Sequence, residues 1–161
     1  MTPIDSPIII IAEYFIYISI LLGIIVFVKN KSERKNIILY GAITFLIIII
    51  ITLIASNIFY DARPFVTDNV MPLILHPADN GFPSDHVLIA MGIAVVLFPF
   101  SKRFGIIAGI IAILIGVARI YAGVHHPIDI VGSILIAIGS ATIGYYLFKY
   151  YLQIQFIECF D

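Results

Sequence analysis

The chain is built from long apolar runs separated by short polar breaks. Five runs stand out, at residues 7–28, 36–60, 86–100, 104–122 and 128–148. A helix needs roughly 20 apolar residues to cross a hydrocarbon core of about 30 Å. Four of the runs meet that length. The third would extend only about 22 Å at the helical rise. Either its outer end lies below the membrane surface, or other helices shield it there. The first run has no Lys or Arg before it and no small-residue cleavage pattern, so it reads as a retained transmembrane helix. The pattern predicts an all-α, polytopic transmembrane helix bundle of about five spans, a single domain over residues 1–161.

Composition agrees. Of 161 residues, 61% are hydrophobic and 12% charged, and the mean hydropathy is +1.11. A soluble domain would carry about twice that charged fraction. The partner is therefore the lipid bilayer. A net charge of −1 offers no basic surface to nucleic acid. The single cysteine, Cys159, lies in the tail and has no partner for an internal disulfide. Residues 153–161 read either as a frayed tail or as a short interfacial helix.

Charge sets the orientation. Lys29, Lys31, Arg34 and Lys35 lie between the first two runs, Lys102 and Arg103 between the third and fourth, and Lys149 after the fifth. With five spans these all fall on one side, which the positive-inside rule makes cytoplasmic. The N-terminus, with Asp5 and no basic residue, is then outside and the C-terminus cytoplasmic. Tyr14, Tyr60, Tyr121, Tyr145 and Tyr146 lie near span ends, as an interfacial aromatic belt would.

The opposite face collects the unusual chemistry. Arg63 follows span two. Ser84, Asp85 and His86 open span three. Arg119 ends span four, and His125, His126 and Asp129 stand at the turn into span five. Each alone has an ordinary explanation, since Arg and His near helix ends often snorkel to headgroups. As a set, they arrive from four helix ends that a packed bundle brings together.

Arg119, inside an apolar helix, is costly unless paired or near water. Pro127 fits the first turn of span five and pushes His126 away from helical geometry. Asp129, one turn on, can accept a hydrogen bond from one imidazole nitrogen of His125. The other nitrogen is then free as a nucleophile or base. Asp129 also suits a helix N-terminus electrostatically. Ser84 reads as an N-cap, and the free N–H groups behind it form an anion site. His86, in the first turn, is placed to protonate a leaving oxygen. Two arginines, helix amides and two histidines suit a phosphoryl group. No carboxylate cluster for magnesium and no Cys/His set for zinc is visible, so metal-independent chemistry with no cofactor is expected. Glu13, near the outer end of span one, reads as a snorkelling carboxylate; a place beside the polar cluster is the alternative.

At these residues the chain resembles the type 2 phosphatidic acid phosphatase superfamily. That family carries Lys-x6-Arg-Pro, Pro-Ser-Gly-His and Ser-Arg-x5-His-x3-Asp. Here they stand as SNIFYDARP (56–64), PSDH (83–86) and ARIYAGVHHPID (118–129). The resemblance implies that His125 is the nucleophile forming a phosphohistidine, that Asp129 orients it, and that His86 is the general acid. It also implies that Arg63, Ser84, Arg119 and the amide of Asp85 hold the phosphoryl oxygens. His126 falls outside the pattern and reads as interfacial. Ser56 replaces the family lysine, Ala118 the serine and Asp85 the glycine. The stretch DNGFPSDH (79–86) resembles the undecaprenyl-diphosphate phosphatase branch, where Asp commonly takes the Gly place. Members usually have six spans, and the family's first is the one without a counterpart here.

The resemblance therefore implies a membrane lipid phosphatase acting on a polyprenyl diphosphate at the extracytoplasmic face. Phosphatidic acid or phosphatidylglycerol phosphate is the alternative substrate. A non-catalytic lipid-phosphate binder is the alternative of another class, because Ser56 and Ala118 thin the phosphate cradle. A channel or transporter fits less well, with the charges at one face and not along a midplane path.

Overall fold

A computed structural model describes residues 7–68 and 70–158. Among them are six α-helices: α1 (Pro7–Lys29), α2 (Arg34–Ile58), the single turn α3 (Pro64–Thr67), α4 (Asp85–Leu97), α5 (Lys102–Tyr121) and α6 (Pro127–Glu158). The described residues hold no strand, only an isolated bridge between Ala62 and Asn80. Helices α1, α2, α5 and α6 are long and apolar enough to cross a membrane, and α4 is the shorter apolar helix. The fold is thus the all-α bundle that the runs predict. The segment expected as a tail continues α6 to Glu158; Cys159 and Asp5 lie outside the described residues.

The short helix resolves its own puzzle. α4 packs against α1, α2, α5 and α6 at once. Eight of its 13 residues are buried, from Val87 to Leu97. Neighbouring helices therefore cover most of it, leaving Ile89 exposed. Lipid tails are as apolar as Leu, so close packing rather than water exclusion must hold such a bundle together. The interface accordingly uses small residues: Ala90 and Ala94 on α4, Ala108 and Ala112 on α5, and Ala137 on α6 are all buried. Gly116 marks one of the tight approaches: a Cβ there would lie 2.5 Å from Ile130 Cγ2, so α5 and α6 could not keep this packing with a side chain at 116. The outward faces carry exposed Ile49, Leu53, Ile110, Ile113, Leu135 and Ile138, the surface a bilayer solvates. The five tyrosines expected in the aromatic belt are all exposed.

Polar contacts close the ends. Arg34 donates to the carbonyls of Phe27 (3.1 Å) and Val28 (3.2 Å), placing a cation where the C-terminal carbonyls of α1 need one. The Tyr40 hydroxyl ties α2 to α6 by donating to Ala141 O at 3.1 Å. Alternation of direction brings the C-termini of α2 and α5 and the N-termini of α4 and α6 to one end. The long connection 59–84 folds back over that end. Asn80 pins it: its amide donates to the carbonyls of Ser56 and Phe59, and its Oδ1 accepts from the backbone N–H of Asp61 and Phe82. Leu73 N–H then docks on Ala122 O at 2.9 Å.

Candidate active site

A polar cavity of about 270 Å³ opens at this end. Arg63, Asp85, His86, Arg119 and His125 all line it. Ser84 lies behind the cavity wall, and Asp129 stands behind His125. The seven residues singled out in the sequence therefore converge.

His125 follows Gly123, whose φ of 72° lets the chain turn sharply from α5 into α6. Pro127 then starts α6, and Asp129 lies in its first turn. Asp129 is fully buried. Its Oδ2 accepts from the His126 backbone N–H at 2.9 Å and faces His125 Nδ1 at 3.1 Å. A carboxylate accepts only, so Nδ1 carries the proton. Nε2 is then a lone pair, 3.4 Å from Arg63 Nη1. Burial lowers the His125 pKa below the ordinary 6.5, with the two arginines adding to the effect and the Asp129 hydrogen bond opposing it. Burial thus favours the neutral ring, with its lone pair on Nε2.

The two arginines are held alike. Arg63 sits at the N-cap of α3 and is buried. Its Nε donates to Asp79 Oδ1 at 2.7 Å and its Nη1 to Val124 O at 2.9 Å. Despite burial, which works the other way, Arg63 holds the Asp79 carboxyl below its ordinary range. Arg119 is 1% exposed. Its Nη1 donates to Glu13 Oε1 at 3.0 Å and, more weakly, to Ala12 O. Its Nε is buried without a partner. Glu13 therefore sits beside the cluster as the counter-charge of Arg119, not as a snorkelling residue: in a packed helix pair, carboxylate and guanidinium cost less together than apart.

Ser84 is the N-cap of α4 by backbone geometry, but its hydroxyl makes no capping bond. That hydroxyl is buried and unpartnered. Its carbonyl accepts from Ser133 Oγ at 3.0 Å, which locks the start of α4 onto α6. Arg119 Nε and Ser84 Oγ, near the first amides of α4, are thus buried polar atoms without a partner, a chemistry that suits an anion. Ser56 also lines the cavity, but its hydroxyl turns back to Leu53 O at 3.3 Å.

Asp61, Asp68, His76 and Asp79 escaped the sequence reading, and one reading changes. His126 is not merely interfacial. Its Nδ1 lies 2.8 Å from Asp61 Oδ2 and its Nε2 3.4 Å from Asp68 Oδ2. Burial opposes protonation, and the two carboxylates outweigh it, so the pKa is raised. His126 thus clamps the 59–84 connection onto the α5–α6 turn. Asp61, His126 and Asp129 also form an acid–imidazole group whose ligand-type atoms lie within 4.8 Å of one another, where the sequence shows no carboxylate cluster. Hydrogen bonds within the group and to His125 already account for its close atoms. Asp79 and His76 both line the cavity. No local signal marks the contacts of His126 with Asp61 and Asp68 or of Arg63 with Asp79, which join residues 65, 58 and 16 positions apart.

Comparison with known proteins bears on this arrangement. The PAP2 superfamily pattern matches residues 36–153. Undecaprenyl-diphosphatase BcrC of Bacillus subtilis is 36% identical over 148 residues, covering 91% of this chain and 74% of that protein. The crystal structure of Aquifex aeolicus LpxE aligns with a TM-score of 0.65 at 28% identity, covering 90% of each chain. A PAP2-type phosphatidylglycerolphosphate phosphatase from Bacillus subtilis shares the fold, with a TM-score of 0.55 at 22% identity over 94% of this chain and 80% of that one.

Proposed function

Since the chain belongs to the PAP2 superfamily and is a multi-pass membrane phosphatase, we propose that it hydrolyses a polyprenyl diphosphate, undecaprenyl diphosphate in particular, to the monophosphate. The observation that carries this reading is the join between two cavities. An apolar groove of about 460 Å³ runs between α2 and α4, lined by Phe45, Ile48, Ile49, Leu53, Leu88 and Ile89. It shares Thr52 and Asp85 with the polar cavity. A phosphorylated head and a long apolar tail suit such a pair of spaces. The relative named as an undecaprenyl-diphosphatase supports the choice of lipid.

The reaction runs in two displacements. His125 Nε2 attacks the terminal phosphorus, and the bond to the bridging oxygen breaks. His86 gives its proton to that oxygen, and the lipid monophosphate leaves. Arg63, Arg119, the Ser84 hydroxyl and the Asp85 amide take the equatorial oxygens, on which charge builds. Asp129 stabilises the His125 imidazolium as the P–N bond forms. Water then attacks the phosphohistidine, giving its proton to His86; inorganic phosphate leaves and His125 is restored. No step requires a metal ion. The distribution of Lys29, Lys31, Arg34, Lys35, Lys102 and Arg103 supports an extracytoplasmic site with the N-terminus outside.

Phosphate release by purified protein in detergent with EDTA tests the reading. The panel sets undecaprenyl diphosphate against phosphatidylglycerol phosphate and phosphatidic acid. Preferred release from the diphosphate is expected, unchanged by EDTA. His125→Ala is expected to lower turnover by about 10³-fold or more and to abolish the acid-labile phosphoprotein formed on brief exposure to substrate. Near wild-type turnover in that variant rejects the mechanism.

A further inference from the structure

The cradle lacks the lysine that stands at Ser56 in the family pattern, and the fold brings a different side chain to the cavity. His76, in the connection 59–84, lines it together with Arg63, Arg119, His86 and His125. Its ring lies edge-on to that of His125, with centroids 6.4 Å apart. At this spacing the two rings touch edge to face, side by side on the wall of one cavity. His76 belongs to none of the three motifs.

The two rings differ in what stands behind Nδ1. In His125, Asp129 at 3.1 Å fixes the proton on Nδ1 and leaves Nε2 as a lone pair. In His76, Nδ1 is buried and makes no hydrogen bond. The nearest carboxylate, Asp79 Oδ1, is 3.9 Å away and already bonded to Arg63 Nε at 2.7 Å. At 3.9 Å Asp79 does not hold a proton on Nδ1. The Nε2–H form is therefore available to His76 and withheld from His125. One imidazole has its lone pair fixed on Nε2, and the other, on the wall of the same cavity, is free to carry its proton there.

We propose that His76 contacts the phosphoryl group as a hydrogen-bond donor through Nε2–H, in place of the missing lysine. The inference rests on the phosphatase reading for its ligand. It explains how a cradle with Ser56 turned back onto its own helix still surrounds a phosphate. It also assigns a task to the 59–84 connection, which Asn80 and His126 hold over the cavity.

The test uses inorganic phosphate as the probe, on the full-length protein in detergent. Two readouts are taken: the inhibition constant of phosphate in the lipid diphosphate assay, and the rise in melting temperature that phosphate gives. His76→Ala is expected to raise the inhibition constant about tenfold and to remove most of the thermal shift. His76→Gln and His76→Lys, which keep a donor, are expected to recover most of both. The proposal is overturned if His76→Ala leaves both readouts at wild-type values. It is equally overturned if the Gln and Lys variants behave like Ala, since the ring would then matter for shape and not for donation. The readouts also separate the two ideas. A wild-type protein that gains stability from phosphate but releases none from any lipid contradicts the phosphatase reading, while loss of that gain in His76→Ala still supports the contact.

Discussion

The cavity has two walls of different construction. One is helical: Arg119 and Glu13 come from α5 and α1, and His125 and Asp129 from the turn onto α6. The other is the 59–84 connection, with Arg63, His76 and Asp79. The helical wall is set by side-chain packing around α4, where Ala108, Ala112 and Ile115 are all fully buried. The loop wall is set by a few polar bonds, chiefly from Asn80, Arg63 and His126. His125 and His126 sit at the seam between them. They are neighbours in sequence, yet one pKa is lowered by burial and the other raised by two carboxylates. Chemistry that needs a fixed, neutral ring is placed on the packed wall. The clamp that holds the loop down uses the ring that can be charged.

Breaking the helical wall is expected to cost most. Arg119→Lys keeps the charge but loses the planar fork that serves Glu13 and a phosphoryl oxygen together. It is expected to lower kcat/KM about 100-fold, mainly through kcat. Glu13→Gln should lower kcat/KM about tenfold, because Arg119 keeps its position only in part and its buried charge loses its partner. Wild-type kinetics in Glu13→Gln would return that residue to a purely interfacial role.

A pH series sharpens the contrast at the seam. His125 must be neutral to attack. Its lowered pKa places the acid limb of kcat/KM below the ordinary 6.5; a limb above 6.5 would mean that the Asp129 bond outweighs burial.

The loop wall should give the smallest effect. Asp61→Asn removes the shorter of the two His126 contacts, at 2.8 Å, and is expected to slow turnover only several-fold. Its stability signature has a definite sign. A raised His126 pKa means that the stabilisation is fully present below 6.5 and is lost as pH rises through the raised folded value. The melting-temperature gap between wild type and Asp61→Asn should therefore be widest in acid and close toward alkaline pH. A gap that widens toward alkaline pH would contradict the clamp.

Run length and residue type were enough to identify five apolar helices, because a bilayer demands that backbone groups bond within each segment. They also singled out Arg63, Ser84, Asp85, His86, Arg119, His125 and Asp129, because these lie at helix ends or one turn apart, and the fold brings those ends together. What spacing could not supply was the pairing across elements. Glu13 and Arg119 are 106 residues apart, and His126 and Asp61 are 65. Nothing local distinguishes Glu13 from a snorkelling carboxylate until α1 packs on α5. Nothing local marks His76 until the connection folds back and brings it to the cavity. The sequence by itself determined which helices form and which of their ends carry the reactive groups. Only the tertiary structure decided which carboxylate neutralises which arginine, which nitrogen of His125 faces Asp129, and which loop side chains line the cavity. Those outcomes depend on distances of a few ångströms between segments, and packing alone sets such distances.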